Sequence, residues 1–220
     1  MSNTRLVLIR HGESRATVER FLGGSRTCTG LTDFGRLQAQ ALRDRLITGR
    51  DVSTTVLISS NFPRAVETAQ ILAPALGSMP ITIDAGWGEH DPGPELDGMS
   101  WDAYEAKYGT PTWSDPDEVV FPGGETVGQF HTRVVRTLRE TVRRHEGGTI
   151  VVACHGGVVD AVMRHTLQMH QTGKFELHTL NTSITEILHL EGSRWRLVRY
   201  NDAAHLVTLQ PVTSPDSSAS

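Results

Sequence analysis

The sequence predicts an α/β fold, a three-layer α/β/α sandwich with a mainly parallel central sheet. Three observations carry this. Short β-branched or leucine-rich runs alternate with segments of helical periodicity. One run, Thr149 to Cys154 (TIVVAC), is apolar along its whole length, as befits a central strand buried on both faces. The chemically distinctive residues follow the ends of the runs rather than interrupting them: Arg10 and His11, Arg64, Glu89 and His155.

Arg5 to Ile9 reads as the first strand and Thr55 to Ser59 as the second. Between them Thr32 caps a helix that runs to about Ile47, with Phe34, Leu37, Ala41 and Leu46 near one face. Asn61 caps the next helix, where Pro63 is tolerated in the first turn and Ala65, Val66, Ala69, Leu72 and Leu76 form the buried stripe. Ile81 to Asp84 is a third strand. Gly86 to Gly124 is rich in Gly, Pro, Asp and Trp and holds only a short helix around Trp101 to Tyr108, so it reads as a functional excursion.

From Thr126 to about His145 the spacing predicts a long amphipathic helix with Val127, Phe130, Val134, Leu138 and Val142 on one side, ended by Gly147 and Gly148. The TIVVAC strand follows, and a helix starts directly after His155 and Gly156. Ile184 to Leu190 and Trp195 to Tyr200 form a closing hairpin, and Ser214 to Ser220 has the composition of a disordered tail. Neither repeat nor interdomain linker interrupts the pattern. A single domain over residues 1–212 is expected, with 213–220 as tail.

Of the 220 residues 38% are hydrophobic and 21% charged, the balance of an ordinary soluble protein. The apolar run Leu6 to Ile9 is too short for a signal-peptide core or a membrane span, which points to the cytoplasm. A net charge of -4 argues against nucleic-acid and anionic-membrane partners. Cys28 and Cys154 lack a paired spacing and are expected to be reduced. The histidines form no compact ligand motif, so neither metal nor cofactor is expected. Lys107 and Lys174 are the only lysines among 21 basic residues, leaving arginine for any planar, bidentate anion clamp. Tryptophans usually anchor packing; Trp87, close to Glu89, is the one placed to stack on a substrate.

In an open parallel sheet the carboxyl ends of the strands converge on one crevice, where helix N-termini also point free N–H groups. Two arginines, two histidines and such donors suit the three equatorial oxygens of a transferring phosphoryl group. Gly12 and Gly156, which follow the histidines, allow the backbone to approach an oxyanion closely. One neutral imidazole can serve as nucleophile and the other as a cationic donor, while Glu89 protonates the leaving alkoxide and then deprotonates water. Glu13 and Ser14 read equally well as caps and stay outside this set.

The segment Leu8-Ile9-Arg10-His11-Gly12-Glu13-Ser14 resembles the Arg-His-Gly-Glu-Thr/Ser signature of the histidine phosphatase superfamily, the phosphoglycerate mutase-like family. Four further segments match in order: Leu31-Thr32-x-x-Gly35-x-x-Gln38-Ala39, Ser59-Ser60-x-x-x-Arg64-Ala65-x-x-Thr68-Ala69, Gly123-Gly124-Glu125-Thr126 and His155-Gly156-Gly157-Val158. The resemblance implies a phosphoglycerate mutase-like fold in which His11 is phosphorylated, Arg10, Arg64 and His155 hold the phosphoryl group, Glu89 donates the proton, and no metal takes part. Glu95 is the reserve donor. Gly156, Thr17 and Arg26 complete the expected phosphate and substrate contacts.

Two departures bear on specificity. Thr17 stands where many members carry an asparagine, and Ala16 replaces the usual tryptophan. The loop Gly23 to Gly30 is one residue longer than the common version, which places Ser25, Arg26 or Cys28 on the substrate side. The function implied is that of the broad-specificity branch, hydrolysis of phosphomonoesters of small metabolites through a phosphohistidine. A bisphosphate-dependent phosphoglycerate mutase and an inactive phosphate-binding module are the alternatives. The expected partner is a small phosphorylated metabolite, and a homodimer is left open.

Overall fold

Leu6 to Ile9 is apolar on both faces and is buried on both, at no more than 1% exposure. This follows from its place inside the sheet. The computed structural model describes residues 3–49, 52–207 and 209. Strand β1 (Thr4–Arg10) pairs in parallel with β4 (Thr149–Cys154), which pairs in parallel with β2 (Val56–Ser59), and β2 with β3 (Ile81–Ile83). On its other side β1 takes an antiparallel partner, β5 (Ile184–Leu190), and β6 (Arg194–Asp202) closes the edge, giving the order β3-β2-β4-β1-β5-β6. The predicted hairpin therefore extends the parallel sheet rather than standing apart from it. The predicted tail lies outside the described residues.

Helices cover both faces. On one, α5 (Val127–Arg144) and α6 (Gly156–Thr166) pack Phe130, Val134, Leu138, Val158 and Val162 against Leu6, Leu8, Ile150 and Val152. On the other, α2 (Asp33–Gly49) and α3 (Pro63–Leu72) pack Leu42, Leu46 and Leu72 against Val7, Ile9, Leu57 and Val151. The α5 stripe is the predicted one, and Thr126 closes a capping box with Gln129. A third cluster, Leu22, Leu96, Tyr104, Val120, Phe121 and Val127, ties the 86–124 excursion and its α4 (Trp101–Tyr108) to the loop after β1.

Two helix faces differ from expectation. In α2 the buried residues are Gly35, Gln38, Ala39, Leu42 and Leu46, while Leu37 is 49% exposed. The face is turned by the loop after β1: Gln38 accepts the Glu13 N–H at 2.8 Å, and a Cβ on Gly35 would lie 2.0 Å from the Glu13 carbonyl oxygen. In α3 Asn61 is exposed and supplies no cap; Phe62 occupies that position, and its N–H goes to Ser60 Oγ. Ala65, Ala69, Leu72 and Leu76 of the predicted stripe are buried, Val66 is only half-buried, and Arg64 and Thr68 are buried with the stripe because that side of α3 faces the β1 end.

Candidate active site

The ends of β1, β2 and β4, with the segment after β3, bring Arg10, His11, Arg64, Glu89 and Gly156 to one cleft of about 970 Å³. His155, the N-cap of α6, stands behind it, with its ring 5.1 Å from that of His11 between centroids. The crossover order places all of these groups at the carboxyl edge of the parallel strands.

His11 is 4% exposed. Its Nδ1 lies 2.6 Å from the Gly12 carbonyl, which can only accept, so Nδ1 carries the proton and the lone pair is at Nε2. Arg64 Nε donates to that Nε2 at 3.0 Å, and the Arg64 guanidinium also donates to the Gly23 carbonyl at 2.6 Å. Burial, then the nearby Arg64 and Arg10, pushes the His11 pKa well below the ordinary imidazole value. His11 is therefore a neutral imidazole with an oriented lone pair, as a nucleophile requires.

His155 is fully buried, and burial followed by Arg64, His11 and Arg10 lowers its pKa strongly as well. The expected cationic donor is thus a neutral one. Ser60 Oγ lies 2.7 Å from its Nε2, the one acceptor within reach of that hydroxyl among the described residues, and with the hydroxyl proton given to Nε2, Nδ1 keeps the imidazole proton. That Nδ1 and Arg10 Nε are buried and without a partner among the described residues. Two orphaned donors beside His11 are the contacts that an oxyanion would satisfy. Arg10 is oriented by donating to the Thr179 carbonyl.

Glu89 reaches the same place from the excursion. Its Oε2 accepts Gly157 N–H at 3.1 Å in the first turn of α6. A Cβ on Gly157 would lie 2.3 Å from Glu89 Oε1, so the glycine that matters for the carboxylate is Gly157. Gly12 is required elsewhere, since its Cβ would meet the Gly35 carbonyl at 2.5 Å. Glu95 is exposed and does not line the cleft, which leaves Glu89 as the placed carboxylate.

Of the remaining expected residues, Thr17 and Gly156 line the cleft and Arg26 does not. Arg26 Nε pairs with Asp97 at 3.3 Å, and Asp97 also accepts from Gly24 N, Arg26 N and Thr27 Oγ1. The extra loop residue is thus spent on a turn wound round Asp97. Ser25 is exposed and Cys28 buried, and neither lines the cleft. Trp87 is fully buried in the core beneath α5 rather than free to stack. Ser14 caps the short α1 (Arg15–Val18), and Glu13 accepts from Thr32 Oγ1 at 2.7 Å.

Sequence reasoning missed Arg133 and Asn181. Arg133, on α5, pairs with Glu125 at 2.6 Å and donates to the main-chain carbonyls of Gly86, Gly88 and Glu89 at 3.0 to 3.1 Å. It pins the segment that carries Glu89. Asn181 Nδ2 donates to the His11 carbonyl at 2.9 Å. Neither has a local signal, although Glu125 lies in the Gly-Gly-Glu-Thr segment, and a half-buried acid there asks for a cation.

Residues 6–203 match the family model of the histidine phosphatase superfamily (branch 1). Phosphoglycerate mutase-like protein 4 of Arabidopsis thaliana is 30% identical over 91% of this chain and 86% of its own length. A metal-independent phosphoserine phosphatase of the same organism is 28% identical over 92% and 83%. Among solved structures, mycobacterial glucosyl-3-phosphoglycerate phosphatase in complex with VO3 superimposes with a TM-score of 0.74 at 25% identity, covering 90% of this chain and 99% of that one.

Proposed function

Because the chain belongs to the histidine phosphatase superfamily, branch 1, we propose that it is a metal-independent phosphatase that hydrolyses phosphomonoesters of small metabolites in the cytoplasm through a phosphohistidine on His11. The observation that carries this is the pairing of a neutral, Nε2-directed His11 with the orphaned donors of Arg10 and His155. Phosphatases and a mutase-like protein both stand among its relatives.

The phosphoryl oxygens take the donors of Arg10, Arg64 and His155, and Arg64 turns from His11 Nε2 to the anion, freeing the lone pair. Nε2 attacks phosphorus, an N–P bond forms, and the P–O bond to the alcohol breaks. Glu89, as the carboxylic acid, gives its proton to the departing oxygen. In the second half water attacks phosphorus, Glu89 takes its proton, and the N–P bond breaks to release phosphate and restore His11. Positioned donors stabilise charge on the equatorial oxygens in both halves.

A bisphosphate-dependent mutase would have to bind a second strongly anionic group in the same cleft. Of the other basic residues lining it, Arg164 is buried and engaged by Asp160 at 2.6 Å and by the His170 and Phe175 carbonyls, and Arg20 is a solvent-exposed side chain 3.6 Å from Asp102. Lys174 is exposed on a loop it shares with Glu176. This favours hydrolysis. Phosphate release from p-nitrophenyl phosphate in excess EDTA, across about pH 5 to 8 where imidazoles change charge, tests the reading. Activity in the wild type that disappears in a folded His11→Ala variant is expected; full activity in that variant would refute it.

A further inference from the structure

The outer half of the cleft is walled by aromatic rings. His90, adjacent to Glu89, stacks on Phe130 with centroids 5.3 Å apart at 20°, and Trp113 meets His90 edge-on at 5.5 Å. Trp113 also meets Phe121 at 5.7 Å, and Phe121 meets Trp101 at 6.2 Å. All five rings line the cleft that holds Arg10, His11 and Glu89. The wall thus begins beside the carboxylate that would protonate a leaving oxygen and runs outward from it.

Three features mark it as more than packing. His90 is fixed by donating Nε2–H to the Glu125 carbonyl at 2.6 Å, so the ring beside the reacting oxygen is held rather than free. Trp113 is 40% exposed although it is a large apolar side chain, and its backbone sits in the left-handed region at φ 53°. A bulky residue there costs conformational energy, and such outliers concentrate where a ligand is clamped. The cleft volume of about 970 Å³ is at the top of the range for sites that enclose drug-sized ligands, far beyond what a phosphate on a three-carbon alcohol fills.

We propose that the outer cleft, walled by His90, Trp101, Trp113 and Phe121, is a binding site for a flat apolar ring carried on the alcohol of the phosphomonoester. The substrate class is then ring-bearing phosphate esters in preference to small polar ones. This rests on the phosphohydrolase reading above. The ring contacts the wall by offset or edge-on stacking, while the phosphate occupies the donors of Arg10, Arg64 and His155.

The test uses propyl phosphate and 3-phenylpropyl phosphate, whose leaving alkoxides are alike, so the ring rather than the chemistry separates them. The wild type should favour the phenyl ester in kcat/KM by at least about tenfold, the scale of one well-stacked ring. In Trp113→Ala, and in the milder Trp113→Leu, that ratio should fall to about threefold or less. A wild-type ratio near unity overturns the inference and leaves the phosphohydrolase reading standing. A high ratio that persists in both variants overturns the role of the wall. Failure of the wild type to hydrolyse either ester removes the phosphohydrolase reading and this inference with it.

Discussion

Replacing Arg133 by Met releases the segment that carries Glu89 and leaves the phosphate donors in place. Arg133 donates to the carbonyls of Gly86, Gly88 and Glu89 and sits over the Phe130 ring at 5.3 Å. Met keeps the apolar stem against Phe130 and donates nothing. A hydrogen bond from a charged group contributes about 1.5 to 3 kcal/mol, and because this side chain is 20% exposed the lower figure applies, about 4.5 kcal/mol for the three. With roughly half recovered as water replaces the donor, about 2 kcal/mol remains, and the equilibrium that holds Glu89 in place weakens about thirtyfold. A poor leaving group needs its proton and a good one does not. The kcat/KM for propyl phosphate should therefore fall by up to about thirtyfold, and that for p-nitrophenyl phosphate by no more than about threefold. Steady-state phosphate release, with far-UV circular dichroism to verify folding, makes the comparison. Equal losses on both esters would show that Arg133 acts only on stability. Glu89→Gln should show the same split, and its absence there would remove Glu89 as proton donor.

Three further expectations follow from the geometry. Because His11 titrates well below the ordinary imidazole value, kcat/KM for p-nitrophenyl phosphate, whose leaving group needs no proton from Glu89, should stay within about twofold from pH 7.5 to 6 once corrected for substrate ionisation; a decline toward low pH centred near 6.5 would show an unperturbed nucleophile. Burial lowers His205 to about 4, so the unfolded chain takes up its proton first, and stability present above about pH 6.5 is lost as pH falls toward 4. Between pH 7 and 5 this amounts to about 2 kcal/mol. Urea unfolding of His205→Gln should lose that much less than the wild type over the same interval, and parallel losses would contradict the assignment. Asp97 anchors the loop whose Gly23 carbonyl takes Arg64; Asp97→Ala should lower kcat/KM about tenfold and Arg26→Ala by less than about twofold. The reverse order would return Arg26 to the substrate.

The parts of the molecule legible in the sequence are those whose signal is local. TIVVAC, the α5 stripe and the Arg10-His11 strand end are each written in consecutive or periodic residues, and the structure realises them with small changes in boundaries. The α2 stripe was not legible, because its rotation is set by a contact 25 residues away between Gln38 and Glu13. Arg26 has the right charge and loop for a phosphate ligand, but nothing local reveals that Asp97 takes it. Trp87 and Trp113 illustrate the same limit. Nearness to Glu89 in sequence favoured Trp87, whereas the 3₁₀ turn at Ala85–Trp87 points that ring into the core and the loop after α4 brings Trp113 to the cleft. The charge state of His155 depends on what is buried around it, which composition does not record.

The central claim is that the phosphoryl group passes through a covalent bond to His11. Rapid quenching of the wild type during turnover of a ³²P-labelled phosphomonoester, followed by peptide mapping under alkaline conditions, reads this directly. An acid-labile label on the peptide that carries His11, absent from a folded His11→Ala variant, is the expected result. Turnover with no label on that peptide, or label that survives in the variant, would contradict it.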